Sequence, residues 1–168
     1  MLLFIVSSRY CDSDALSNFA WSQFQYIDGG HARVQAICHF VHSHIRFSCA
    51  DASSQRSASR SMRDRVGVCR DLAHLAVALR RCMNIPARHC TGYLSDIGVP
   101  IDVNPMDFSA WFEVFLDGRW HIKDARHNRA RIGRIVIGRG RDAADVAIST
   151  AFWLATLAHF GVLTNDAK

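Results

Sequence analysis

Residues 108–124, Phe-Ser-Ala-Trp-Phe-Glu-Val-Phe-Leu-Asp-Gly-Arg-Trp-His-Ile-Lys-Asp, form two aromatic-rich runs around Asp117-Gly118. Asp-Gly suits a two-residue type I′ turn, in which both central residues need positive φ. The stretch therefore predicts an antiparallel hairpin, Phe108 to Leu116 and Arg119 to Asp124. The turn sets the register: Leu116 opposes Arg119, Glu113 opposes Ile122 and Trp111 opposes Asp124. Alternation places Ser109, Trp111, Glu113, Trp120, Ile122 and Asp124 on one face, with Asp124 and Ser109 as diagonal neighbours. His121 takes the other face with Phe112 and Val114.

Working outward, the helical period dominates upstream. Val34, Ile37, Val41 and Ile45 recur at helical spacing over His31 to Phe47, behind the turn Asp28-Gly29-Gly30. Ala50 to Arg65 is rich in Ser and Arg and reads as an exposed connection with a short helix toward Arg65. Leu72, Ala76, Leu79 and Met83 mark a second helix, Cys69 to Met83, with Asp71 in its first turn and Arg80-Arg81 in its last, the charge order that the helix dipole favours. Asn84 and Pro86 end it. Arg88 to Leu94 reads as a strand and Ser95 to Asp107 as a loop. Ile132 to Ile137 reads as a further strand, and Val146 to Phe152 as a buried strand followed by a terminal helix. Helices first and strands later predict an α+β fold with a largely antiparallel sheet.

The composition bounds the function classes. The chain has 168 residues, 49% of them hydrophobic and 21% charged, which fits one folded domain and excludes disorder. The net charge of +5 does not by itself imply a nucleic-acid partner. Six cysteines without a CxxC pair do not read as a disulfide scaffold, so a reducing, cytoplasmic setting is expected. Met1 to Val6 is apolar but lacks a basic region and a cleavage site. Val146 to Leu163 has no charge but is interrupted by Ser149, Thr150, Thr156 and His159, so no membrane association is expected.

Cys69 differs from the other five cysteines because it opens a helix. A thiol there meets unpaired N–H groups and the positive end of the dipole, which favour the thiolate. Arg70 acts in the same direction and Asp71 against it. The plainer alternative is a small buried cysteine.

The blocks Gly67-Val-Cys69-Arg-Asp71-Leu-Ala-His74-Leu, Asn84-Ile-Pro86-Ala-Arg88, Thr91-Gly92-Tyr93, Ala110-Trp111-Phe-Glu113-Val and Asp124-Ala-Arg-His127-Asn128 resemble the bacterial transglutaminase-like superfamily. The resemblance runs from about Arg9 to Phe152 and is strongest over 66–128. It implies a papain-like thiol-protease core, with N-terminal helices packed on an antiparallel sheet. Residues 1–168 are read as one transglutaminase-like domain, lacking the N-terminal β-rich region that such relatives often carry. The resemblance also implies a Cys–His–Asp triad. Cys69 matches the nucleophile and Asp124 the orienting acid, but the family's histidine position is occupied by Ser109. A serine hydroxyl cannot accept the thiol proton as an imidazole does.

His127, just past Asp124, is the candidate substitute base if the loop bends back. His74 lies about 140° around the helix from Cys69 and reads as structural; His121 faces away, and His89 is unplaced. His39, His42 and His44 read as a solvated helix face rather than a metal site, and no metal or cofactor is expected. Arg126, Arg129, Arg131, Arg134, Arg139 and Arg141 form a basic stretch without Asp or Glu. It lacks the aromatic interleaving of a single-stranded nucleic-acid platform.

Three readings follow. The first is a cysteine enzyme acting on a peptide or protein substrate, by hydrolysis or acyl transfer through a Cys69 thioester. The second is a catalytically impaired relative that binds a peptide or protein in the old cleft. The third is an anion-binding module built on the arginines.

Overall fold

The computed structural model describes residues 1–100, 108–148, 150, 152–154, 156, 158–159 and 161–162. Its elements in chain order are α1 (Ser17–Phe24), α2 (Gly30–His44), β1 (Arg46–Phe47), α3 (Ala58–Asp64), β2 (Val66–Gly67), α4 (Cys69–Cys82), β3 (Ala87–Leu94), β4 (Phe108–Leu116), β5 (Arg119–Lys123) and β6 (Arg134–Gly140). Four strands form an antiparallel sheet in the order β5-β4-β3-β6, while β1 and β2 make a short parallel pair. Helices packed on an antiparallel sheet make this the expected α+β core.

The hairpin has the expected register, Leu116 opposite Arg119 and Glu113 opposite Ile122. Asp117 and Gly118 take φ of 50° and 79°, as a type I′ turn requires. Ala110, Phe112 and Val114 face the core, where α4 lies against the sheet.

Helix α4 is buried on every side rather than along one stripe. Leu72, Leu75 and Leu79 contact the core together with Ala73, Ala76 and Ala78, whose small side chains permit close approach of the sheet and of α1, α2 and α3. Arg80 and Arg81 are consequently interior groups, not solvated end charges. Arg80 donates to the carbonyls of Ala76 (2.6 Å) and Val34 (2.7 Å) and lies 4.2 Å from the Phe112 ring centroid. Arg81 donates to the carbonyls of Val6, Ala87 and Arg141, tying the N-terminal segment to β3 and to the chain after β6.

Two expectations change, and one helix was not expected. The Ser/Arg-rich connection does contain its short helix, α3, but Arg56, Ala58 and Ser61 are buried, because Asp12, Asp64 and Asp71 draw its polar groups inward. Helix α1 and the preceding 3₁₀ turn Ser13–Leu16 had no clear periodic signature. The strand expected at Val146 to Phe152 and the helix after it do not occur among the described residues. Asp142 and Asp145 capture the N–H groups of Ala144 and Arg141 and turn the chain there, overriding the β preference of valine and isoleucine. Phe152, Trp153 and Leu154 are exposed. Among the described residues no helix is long and apolar enough to cross a membrane.

His74 and His89 are buried with ring centroids 4.8 Å apart, and Tyr10 stacks on His74. His74 Nε2 accepts the Ala143 N–H at 3.1 Å, the structural role expected of it. Burial holds both imidazoles neutral: His74 well below its ordinary range and His89 at about 4. An unfolded histidine titrates near 6.5, so stability is complete above that pH and declines as pH falls toward 4, by roughly 3 kcal/mol for His89. Denaturant midpoints measured across this window should fall with acidification, with a shallower slope in His89→Leu. An unchanged slope would exclude His89 as a source.

Gly92, opposite Ser109, sits at a β3 irregularity where a Cβ would lie 2.0 Å from the Ile135 carbonyl oxygen and 3.0 Å from the Trp111 ring. Gly92→Ala should therefore cost about 1–3 kcal/mol, measured by chemical denaturation. A wild-type midpoint would show that the strands can separate freely here.

Candidate active site

The position of Cys69 is set by Asp71. Its buried carboxylate accepts the Val68 N–H at 3.0 Å and so caps the start of α4. Arg56 (3.1 Å) and Arg70 (3.2 Å) neutralise it. Gly67 leaves the space it needs, since a Cβ there would lie 2.8 Å from Asp71 Oδ2. Cys69, two residues before the carboxylate, is the first residue of the helix.

The Cys69 sulfur lies against β4 beyond the end of β5, 3.9 Å from the Phe108 carbonyl oxygen. Burial pushes its thiol above the ordinary value, although part of the residue reaches solvent. The N–H groups of Ala110 and Arg70 and the Arg126 guanidinium favour the thiolate, while Asp124 opposes it. Desolvation outweighs these effects, so the thiol is not acidified as its helix position suggested. Ser109 is buried, and its Oγ has no hydrogen-bond partner among the described residues.

Asp124 and His127 are brought together by a turn. Asp124 Oδ1 accepts the N–H groups of Arg126 (2.9 Å) and His127 (3.1 Å), and the Asn128 N–H closes onto the Asp124 carbonyl at 3.0 Å. This curl returns the His127 ring to the carboxylate, with Nδ1 2.9 Å from Oδ2. Arg134 donates to the same oxygen at 2.8 Å. Burial alone would raise the Asp124 pKa, but the His127 contact and the Arg134 guanidinium outweigh it and hold the carboxyl below its usual range. An ionised Asp124 accepts from Nδ1–H, which leaves His127 Nε2 with a free lone pair. No imidazole is hydrogen-bonded to Cys69 among the described residues.

The histidines of α2 anchor this turn, so their face is not merely solvated. His42 Nδ1 donates to the Arg126 carbonyl at 2.9 Å, His39 meets Asn128, and Gln35 donates to Asn128 Oδ1 at 3.1 Å. His44 instead contacts the Met62 carbonyl. Among the described residues no group of three or more His, Cys, Asp or Glu could hold a metal ion. His121 lies opposite Val114, on the face expected. Within the basic stretch, Arg131 pairs with Asp96, Arg134 with Asp124, Arg139 with Glu113 and Arg141 with Asp145, whereas Arg126 lies over the Phe47 ring. Sequence order carried no signal for the Arg134–Asp124 pair, or for the tethering role of His42.

Comparison with known proteins places this arrangement. A crystal structure described as "a putative cysteine protease from Cytophaga hutchinsonii" superposes with a TM-score of 0.80 at 39% identity, covering 88% of this chain and 49% of that one. The periplasmic domain of TgpA from Pseudomonas aeruginosa, solved with ethylmercury bound, shares the fold (TM-score 0.53, 22% identity, 70% of this chain and 45% of that one). An uncharacterized protein of Mycobacterium leprae is 33% identical over 86 residues, 48% of this chain and 30% of its own length. The chain thus spans less than half the length of each of these relatives. The transglutaminase-like superfamily model matches residues 20–125, which include Cys69, Ser109 and Asp124. With that match over most of its length and the Cytophaga structure superposing on its core, the chain belongs to the transglutaminase-like superfamily.

Proposed function

We propose that the protein is a thiol enzyme acting on amide or peptide bonds, with Cys69 as nucleophile and the Asp124–His127 dyad in place of the usual strand histidine. The observation that carries this reading is the 2.9 Å contact between His127 Nδ1 and Asp124 Oδ2, which keeps an imidazole with a free Nε2 at the family's acid position. In the first step the Cys69 sulfur bonds to the substrate carbonyl carbon as its proton passes to His127 Nε2. The C–N bond then breaks, the leaving amine takes that proton, and a thioester remains. Water or a second amine attacks the thioester through the same imidazole, releasing an acid or a new amide and restoring the thiol. The Cys69 N–H at the start of α4 is the proposed donor to the oxyanion. The raised thiol pKa is compatible with a protonated resting state, in which proton transfer accompanies attack.

A second reading, a catalytically impaired relative that binds peptides, draws on different observations. By the resemblance Ser109 stands at the family's histidine position, and among the described residues the resting thiol is hydrogen-bonded to the Phe108 carbonyl rather than to an imidazole. The partner expected under either reading is a peptide or protein. The cytoplasm is the proposed compartment, on the six free thiols.

A fluorogenic peptide-amide panel, assayed with and without an added amine, tests the first reading. Cys69→Ala should abolish turnover, and His127→Ala or Asp124→Asn should reduce kcat at least about 100-fold while leaving substrate binding nearly unchanged. Undiminished kcat in His127→Ala would remove that residue from the mechanism. Ser109→His separates the two readings. If the protein is impaired for want of a strand imidazole, this substitution should raise turnover from background by an order of magnitude or more. If His127 already serves, it should raise turnover little or lower it.

A further inference from the structure

We infer that the cleft beside Asp124 is a carboxylate-recognition subsite, so that the preferred peptide bears an acidic group. The inference rests on the amide-bond reading for its substrate, but its own evidence lies in the cleft walls. The cleft has a volume of about 720 Å³ and runs between α2 and the chain after β5, with Lys123, Asp124, Arg129, Arg131 and Arg134 among its lining residues. Among the described residues Asp124 is its one acidic lining residue, and that carboxylate is already engaged by His127 and Arg134. Arg131 is engaged by Asp96. Lys123 and Arg129 line the same space with no carboxylate partner among the described residues. Among the described residues, two cations without a carboxylate partner therefore border a cleft whose other charges are paired.

The wall is built rather than incidental. Arg131 and Arg134 have side chains only 5% and 8% exposed, and the Nε group of each is buried without a hydrogen-bond partner among the described residues. Their pairing with Asp96 and Asp124 fixes both guanidinium groups in the wall. The loop's course is held at both ends. Gly133 (φ 76°) lets the backbone accept the Ser95 N–H at 3.2 Å, and Asn128 (φ 48°) is bonded to α2. The cleft also begins at Asp124, the residue that holds the proposed base. An acidic group seated against Lys123 and Arg129 would share Asp124 with the proposed dyad.

Fluorescence anisotropy on the full chain carrying Cys69→Ala tests this by binding alone, independent of turnover. Three labelled, N-acetylated heptapeptides are compared: one amidated with two Glu residues flanking a central Gln, its amidated Gln-only counterpart, and the Gln-only sequence with a free C-terminal carboxylate. A Kd about tenfold tighter for at least one acidic peptide, at about 20 mM salt, is expected from two partly exposed ion pairs. The gain should vanish by about 500 mM salt. The arm that shows the gain distinguishes a side-chain carboxylate from a chain end. Lys123→Gln with Arg129→Gln should erase the preference while leaving the Gln-only peptide unaffected. Equal binding of all three peptides overturns the inference, as does a preference that survives the double substitution. Absence of turnover in the unsubstituted protein would count against the amide-bond reading but leave the measured preference standing, so the two failures are distinguishable.

Discussion

The buried carboxylate of Asp71 is the constraint on which the site depends. A charged group with no exposed surface is tolerable only if its oxygens are fully engaged. Here the Val68 N–H, Arg56 and Arg70 engage them. The first donor fixes where α4 begins, and the second draws the Ser/Arg-rich connection into the interior. Cys69 is therefore held by an interaction that also orders α3 and requires Gly67. The price of that fixed position is desolvation of the sulfur, which outweighs the helix dipole.

Asp124 works by the same logic on the opposite wall. Its two oxygens receive two backbone N–H groups, one guanidinium and one imidazole, so it remains ionised despite burial. Because Oδ1 curls the backbone, His127 returns to the carboxylate rather than following the extended course of β5. The acid thus positions the imidazole twice, once through the chain and once through the ring.

The parts legible in the sequence are those governed by local rules. Asp-Gly set the hairpin register because type I′ geometry admits few alternatives. Helical spacing located α2 and α4, and the motif blocks pointed to the family whose model matches residues 20–125. Long-range pairing was not legible. A stripe of Leu72, Ala76, Leu79 and Met83 reads as one buried face, and nothing in the order of residues says that sheet and helices would enclose α4 from every side. Nor could the partners of Arg56, Arg80 or Arg134 be read, because an arginine reaches far and its partner is fixed only by the fold. The stretch after β6 misled for a local reason: Asp142 and Asp145 bond their neighbours' backbone and turn the chain before Val146 can extend a strand.

On the proposed reading the imidazole sits on a turn rather than a strand, which changes what controls it. A residue at position 109 is held by the sheet, through its pairing with Gly92 and the neighbours of β4. His127 hangs from a turn bonded to His42, His39 and Gln35 of α2 and held through Asp124 by Arg134 of β6. The thiol stands on α4 and the imidazole on a turn tied to α2, and α2 packs on α4, with Arg80 donating to the Val34 carbonyl across that contact. In this chain the geometry of the proposed base thus depends on helix packing, and the histidines of α2 that look like surface decoration in the sequence belong to its support.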